Sequence, residues 1–246
     1  MRRVRCIVQY DGTNFAGYQV QPGKRTVQRE IEQALTMIHK GQEIRIAASG
    51  RTDAGVHAFG QVFHFDTPLS IPAEKWPIVI QTKLPSDIVI TKADYVQEDF
   101  HSRFSVKRKT YCYKIYTGNH KTPFKRNYAY FEQYDLDINK MKKAASKFLG
   151  VHDFTAFCSA KTEIEDKVRE IYSISVEEQE GDISIQITGN GFLYNMVRIM
   201  VGTLLEIGRG TRPVTSVETA LQSRFRQDAG KTAPPHGLYL WSVDYE

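Results

Sequence analysis

Residues 50–58, GRTDAGVHA, bring an arginine, a carboxylate and an imidazole onto one short stretch: Arg51, Asp53 and His57. Such a set can move protons, attack an electrophile or stabilise a developing charge. The same residues also make an ordinary polar turn, in which Gly50 and Gly55 supply positive φ and Asp53 bonds to its own backbone. A metal-dependent hydrolase is a third reading, because His64 and Asp66 follow on an adjacent strand and share one face of it. A lone His-x-Asp on a hairpin is more often structural. Spacing excludes other chemistries. Gly17 to Gly23-Lys24 is one residue too long for a phosphate-binding P-loop, and Arg25 stands where Ser or Thr is required. GNGF at 189–192 lacks the third glycine of a dinucleotide fingerprint, and Asp53-Ala54-Gly55 has no second copy with which to share a proton.

The elements around the turn follow from periodicity. Strand-like runs at 43–49 and 60–67 flank it, and residues 3–10 alternate as a first strand. A helix starts at Thr26, a candidate N-cap, with Val27, Ile31, Ala34, Leu35 and Ile38 on one face. A short helix between Ser70 and Pro85, bent at Pro77, and a strand at 87–96 complete a β-α-β-β-α-β order. The second half repeats it: a strand at 108–118, a helix capped by Asp137 and ended by Gly150, strands near 167–178 and 182–189, helices near 192–207 and 214–223, and a last strand at 237–245. The expectation is an α+β chain of two ferredoxin-like lobes, 1–102 and 103–246, with mainly antiparallel sheet and a shared central cleft.

The 246 residues are 41% hydrophobic and 25% charged, a composition that buries a real core. No apolar run is long enough to span a bilayer, and the N-terminus lacks an h-region, so the expected location is the cytoplasm and no membrane partner is expected. Cys6, Cys112 and Cys158 are widely spaced without a C-x-x-C pair, which fits reduced, packed thiols. The net charge is +5. Basic residues cluster at Arg2, Arg3 and Arg5, at Lys107, Arg108 and Lys109, at Lys121, Lys125 and Arg126, and at Lys140, Lys142 and Lys143. Any one cluster is ordinarily a solvated face. Together with 13 Tyr and 13 Phe they lean towards a nucleic acid.

The turn resembles the catalytic motif of the tRNA pseudouridine synthase A family. Further matches run in family order: Tyr10-Asp11-Gly12 with Phe15, Gly17, Gln19 and Gln21; TVQREIEQAL at 26–35; FHSRFSVKRKTYCYKIY at 100–116; HDFTAFC at 152–158; GNGFLYNMVRIMVG at 189–202; and APPHGLYL at 233–240. Tyr18 departs from the pattern, which often has tryptophan there. The resemblance implies the pseudouridine synthase fold and a cofactor-free, metal-independent isomerase. It would act on tRNA positions 38, 39 and 40 of the anticodon stem-loop, as a homodimer. It also assigns Asp53 as the essential carboxylate. Burial in a base-sized pocket disfavours an ionised carboxyl by up to about 3–5 pK units, and an arginine within about 4–6 Å restores about 1–3. By position that arginine is Arg198, on the edge of a helix whose buried stripe is Leu193, Met196, Val197, Met200 and Leu204. Without the family, Arg198 reads as an arginine snorkelling off a core helix. The resemblance also has Tyr111 stack on the target base, Leu238 cover its other side, and Arg51 and His57 contact RNA or help extrude the base. Against these stand a core strand tyrosine, a core leucine and solvated turn charges. The competing function is a non-catalytic RNA-binding protein, which has no need of Asp53.

Overall fold

The computed structural model describes residues 1–159, 162 and 164–246. Its contacts divide the chain into two compact units, Met1–Lys107 with Tyr239–Glu246, and Arg108–Leu238. The expected division, 1–102 and 103–246, differs from this at the junction and at the last strand. That strand groups with the first unit because its backbone pairs with a strand there, Tyr239 opposite His57 and Leu240 opposite Ala58.

The first unit contains β1 (Arg2–Tyr10), α1 (Val27–Ile38), β2 (Ala47–Ala48), β3 (His57–Thr67), α2 (Trp76–Gln81) and β4 (Ile88–Val96). β1 lies between β3 and β4, antiparallel to both, and β2 pairs antiparallel with β3. This β4-β1-β3-β2 order is that of a split β-α-β unit. Burial alternates along β1, with Val4, Cys6, Val8 and Tyr10 inward. Across from Val4 and Cys6 lie Phe65 and Phe63. Phe65 packs edge-on against Trp76 of α2, and His39 after α1 stacks on the same indole. The helices therefore cover this face of the sheet.

Three details differ from the sequence reading. The expected strand at 43–49 pairs only over Ala47–Ala48, because the preceding residues turn to α1: Glu32 accepts from the Ile46 amide and pairs with Arg45. Pro77 opens α2 instead of bending it, which suits a residue with no N–H to donate. Thr26 occupies the N-cap of α1, but its buried hydroxyl makes no capping bond. The carbonyls of Gly17 and Tyr18 take the amides of Val27 and Gln28 instead.

The second unit contains β5 (Arg108–Thr117), β6 (Tyr130–Glu132), α3 (Ile138–Ala145), β7 (Gly150–Asp153), β8 (Val168–Gln179), β9 (Asp182–Gly189), α4 (Met196–Gly208) and α5 (Ser216–Ser223). The antiparallel order is β5-β9-β8-β7, and β6 joins β5 in parallel. β6 and β7 were not foreseen; both are too short to show a period. The last strand, β10 (Leu238–Asp244), begins at the unit boundary. α4 starts four residues later than the apolar pattern suggests, after Asn195 in a left-handed conformation at φ 62°. No helix among the described residues is long and apolar enough to cross a membrane.

α4 is buried nearly all round, and residues 230–233 run along it at contact distance. The Gly230 amide donates to Thr203 Oγ1, the Lys231 amide to Glu206, and the Ala233 amide to the Arg198 carbonyl. A Cβ on Gly202 would lie 1.7 Å from the Lys231 carbonyl oxygen, so the segment sits where only glycine fits. Gly202→Ala is expected to destabilise the fold by about 1–3 kcal/mol or more. Urea unfolding checks this, and an unchanged midpoint would show that the segment is loosely held.

Candidate active site

The turn carrying Asp53 is fixed from below. Gln61, fully buried on β3, donates its amide to the Gly50 carbonyl at 2.9 Å and accepts from the Ser49 hydroxyl at 2.6 Å. The Thr52 carbonyl accepts from the Tyr18 amide at 3.0 Å, and the Thr52 hydroxyl bonds the Tyr10 phenol at 2.7 Å. The Asp53 carbonyl accepts from the Val56 amide at 3.1 Å, closing the turn over Gly55 at φ 77°. Two glycines of the N-terminal stretch press against it. A Cβ on Gly12 would meet the Val56 carbonyl oxygen at 2.0 Å, and one on Gly17 (φ 99°) the Thr52 carbonyl oxygen at 2.9 Å. The stretch is itself anchored by Arg25, which pairs with Asp87 and Glu30 and lies 4.2 Å from the Phe15 ring centroid. Tyr10-Asp11-Gly12 and Gly17-Tyr18 thus form the bed on which Asp53 rests.

The side chains of the turn have different settings. Asp53 is half-buried and Arg51 is exposed. His57 is only 2% exposed, and it stacks on Tyr239 at 4.8 Å. Its Nδ1 accepts from the Gly12 amide at 3.0 Å. Asp11 lies 3.2 Å from the same nitrogen, and the same carboxylate oxygen accepts from the Thr13 amide and hydroxyl. His57 is therefore buried beneath the turn, between the Gly12 amide and the Tyr239 ring. The metal reading meets similar competition. Asp66 receives two bonds from Arg3, and His64 Nδ1 accepts from the Ser102 amide. Among the described residues, no group of three or more His, Cys, Asp or Glu is placed to hold a metal.

The second unit holds Tyr111, Arg198 and Leu238, and residues 233–238 run from Arg198 past Tyr113 to Leu238. Arg198 Nε donates to the Ala233 carbonyl at 2.7 Å and Nη1 to Asn195 Oδ1 at 2.9 Å, so the guanidinium has a fixed direction. It is half-buried at the helix edge. One step along, the Tyr113 phenol donates to the Pro234 carbonyl at 2.8 Å. A Cβ on Gly237 would come within 2.7 Å of the Tyr113 ring, so Leu238 starts β10 beside that tyrosine, 5% exposed. Tyr111 and Tyr113 share a strand face and have different fates. Tyr113 is fully buried, with its phenol pushed far up by burial. Tyr111, near the strand's start, is half-buried and meets Phe192 edge-on at 5.1 Å.

Comparisons with known proteins cover the turn and its bed. The pattern of the tRNA pseudouridine synthase family matches residues 6–105 and 144–246. The chain belongs to this family. Curated relatives named "tRNA pseudouridine synthase A" include those of Anoxybacillus flavithermus, 55% identical over 100% of both chains, Bacillus pumilus, 56% over 99% of both, and Bacillus subtilis, 53% over 99% of both. The matched residues contain Asp53, Arg198 and Leu238, whereas Tyr111 falls in the unmatched segment between them.

Sequence reasoning missed Gln61, Thr52 and Tyr10 as supports of the turn, since one buried amide or hydroxyl leaves no periodic trace. Two of the basic clusters also change meaning: Arg3 and Arg5 pair with Asp66 and Asp94, and Lys125 with Asp182. His64, buried beside Arg3 and His101, has its pKa lowered to about 4, burial being the main cause. The unfolded chain, with histidine near 6.5, binds a proton that the fold does not. Stability is therefore expected to fall as pH drops from about 7 towards 4. His64→Asn, which keeps an acceptor for Ser102, should flatten that dependence in urea titrations. An unchanged slope would place the titrating group elsewhere.

Proposed function

We propose that this chain converts uridine to pseudouridine in tRNA, at positions 38, 39 and 40 of the anticodon stem-loop, with Asp53 as the essential carboxylate. The observation that carries this reading is the Asp53 turn itself, a half-buried carboxylate on a backbone held at Gly50, Thr52 and Asp53. In the reaction the N1–C1′ bond breaks, the base rotates, and a C5–C1′ bond forms. The C5 hydrogen leaves to solvent and N1 gains a proton, so no electrons are exchanged and no group is lost. Whether a carboxylate attacks C1′, attacks C6 or stabilises a glycal-type intermediate, it must be ionised and lie at the sugar–base junction.

Arg198 is the cation assigned to keep that carboxylate charged, a role supported by the two bonds that aim its guanidinium. Tyr111 is assigned to stack on the flipped base, supported by its half-buried setting beside the fully buried Tyr113. Leu238 covers the opposite side, and Arg51, exposed on the turn, meets the RNA backbone. His57 supports the turn from beneath. Base flipping costs a few kcal/mol, and one aromatic stack returns about 1–3 kcal/mol. The chain is further proposed to act in the cytoplasm as a homodimer, without metal or cofactor, readings that rest on the resemblance of its motifs.

The test is tritium release from tRNA carrying 5-tritiated uridine. Asp53→Ala and Asp53→Asn are expected to lose about 10³-fold or more in rate while binding tRNA within a few-fold of wild type. Turnover retained in both would end the assignment of Asp53. Arg198→Met is expected to lose turnover far more than affinity. Equal losses would make Arg198 a contact to the RNA backbone.

A further inference from the structure

Beneath the turn lies a run of buried polar side chains that a hydrophobic core has no reason to contain. Gln61 is 0% exposed, Tyr10 4% and Thr52 7%. The Gln61 amide nitrogen donates to the Gly50 carbonyl. Tyr10 in turn bonds Thr52 Oγ1 at 2.7 Å. Gln61 Oε1 is filled by the Ser49 hydroxyl and the Val62 amide. Burial pushes the Tyr10 phenol well above its ordinary pKa, so it stays protonated and keeps its bond to Thr52. Fully satisfied buried networks fix one arrangement, whereas apolar residues of similar size would stabilise the fold without specifying it so narrowly. The arrangement fixed here ends on the residue immediately before Asp53.

We infer that the Gln61–Gly50 and Tyr10–Thr52 hydrogen bonds together form a positioning device for the Asp53 carboxylate, acting on the chemical step and not on tRNA binding. The inference rests on the reading of Asp53 proposed above. None of the three residues touches the substrate in this account; they act through the backbone at 50–53. Gly12 and Gly17 block the turn from moving towards the N-terminal stretch, while Gln61 on β3 and Tyr10 on β1 hold it from beneath. The direction of the carboxylate is then set before any RNA arrives. A misplacement of about 1 Å at a reacting group can cost about 10²-fold in rate.

The experiment compares Tyr10→Phe, Thr52→Val and Thr52→Ser with wild type and Asp53→Ala. Thr52→Val keeps the shape and removes the hydroxyl, while Thr52→Ser keeps the hydroxyl. Single-turnover tritium release at saturating tRNA, tRNA affinity by filter binding, and thermal unfolding are measured for each. Tyr10→Phe and Thr52→Val are expected to slow the chemical step by about 10- to 100-fold. Their tRNA affinity should stay within about twofold and their unfolding should stay cooperative, with Thr52→Ser within about threefold of wild type in rate. Rates at the wild-type level in both hydroxyl-deleted variants, with Asp53→Ala inactive, would overturn the inference and leave the role of Asp53 standing. Losses matched by weaker tRNA binding, or shared equally by Thr52→Ser, would overturn it in favour of a purely structural role. Turnover retained by Asp53→Ala would remove the reading on which it rests.

Discussion

The Thr52 peptide is the constraint on which the rest of the first unit depends. Its carbonyl is taken by the Tyr18 amide and its hydroxyl by the Tyr10 phenol, from two ends of one N-terminal stretch. That stretch cannot advance on the turn, because Gly12 and Gly17 already lie closer to it than any side chain would allow. It cannot retreat, because Arg25 ties it to Asp87 and Glu30 and the carbonyls of Gly17 and Tyr18 begin α1. Helix, stretch and turn are thus one mechanical piece. The matching of Tyr10-Asp11-Gly12, Gly17 and GRTDAGVHA to one family pattern acquires a physical reason: they are two sides of the same contact.

The second unit uses the same device with other residues. Arg198 and Ala233 exchange bonds, side chain to carbonyl and amide to carbonyl, so the helix edge and the 230–233 segment define each other. Glycine at 202 permits the approach, and Thr203 and Glu206 complete the row of anchors. Tyr113 then governs the next few residues, holding Pro234 by its hydroxyl and Gly237 by its ring. The side chains assigned to the RNA base, Tyr111 and Leu238, flank this buried tyrosine. Rigid, hydrogen-bonded supports are what a site needs when its chemistry depends on placement.

Much of this was legible in the sequence, for identifiable reasons. The first strand, α1 and the long strands β5, β8 and β9 carry clear periods, and the α+β class with mainly antiparallel strands follows from them. What escaped was governed by single polar contacts. Glu32 draws residues 45–46 away from the sheet and shortens β2 to a single pair of residues. Asn195, in a left-handed conformation, delays the start of α4 past two apolar residues that looked helical. Part of the charge pattern is used within the fold: Arg3 and Arg5 sit opposite Asp66 and Asp94 once β1 has its neighbours. Within the site, Asp53, Arg51 and His57 announced themselves by type and spacing. Burial then separated them, leaving Arg51 in solvent and His57 inside with its Nδ1 on the Gly12 amide.

If the Asp53 turn is set before RNA binds, its backbone amides should say so in the free protein. The most direct measurement is native-state hydrogen exchange at the Tyr18 and Val56 amides, which donate to the Thr52 and Asp53 carbonyls. The account predicts that both exchange slowly without tRNA, with opening energies close to those of the β1 and β3 core. Fast exchange in the free protein, with protection gained only on adding tRNA, would contradict it.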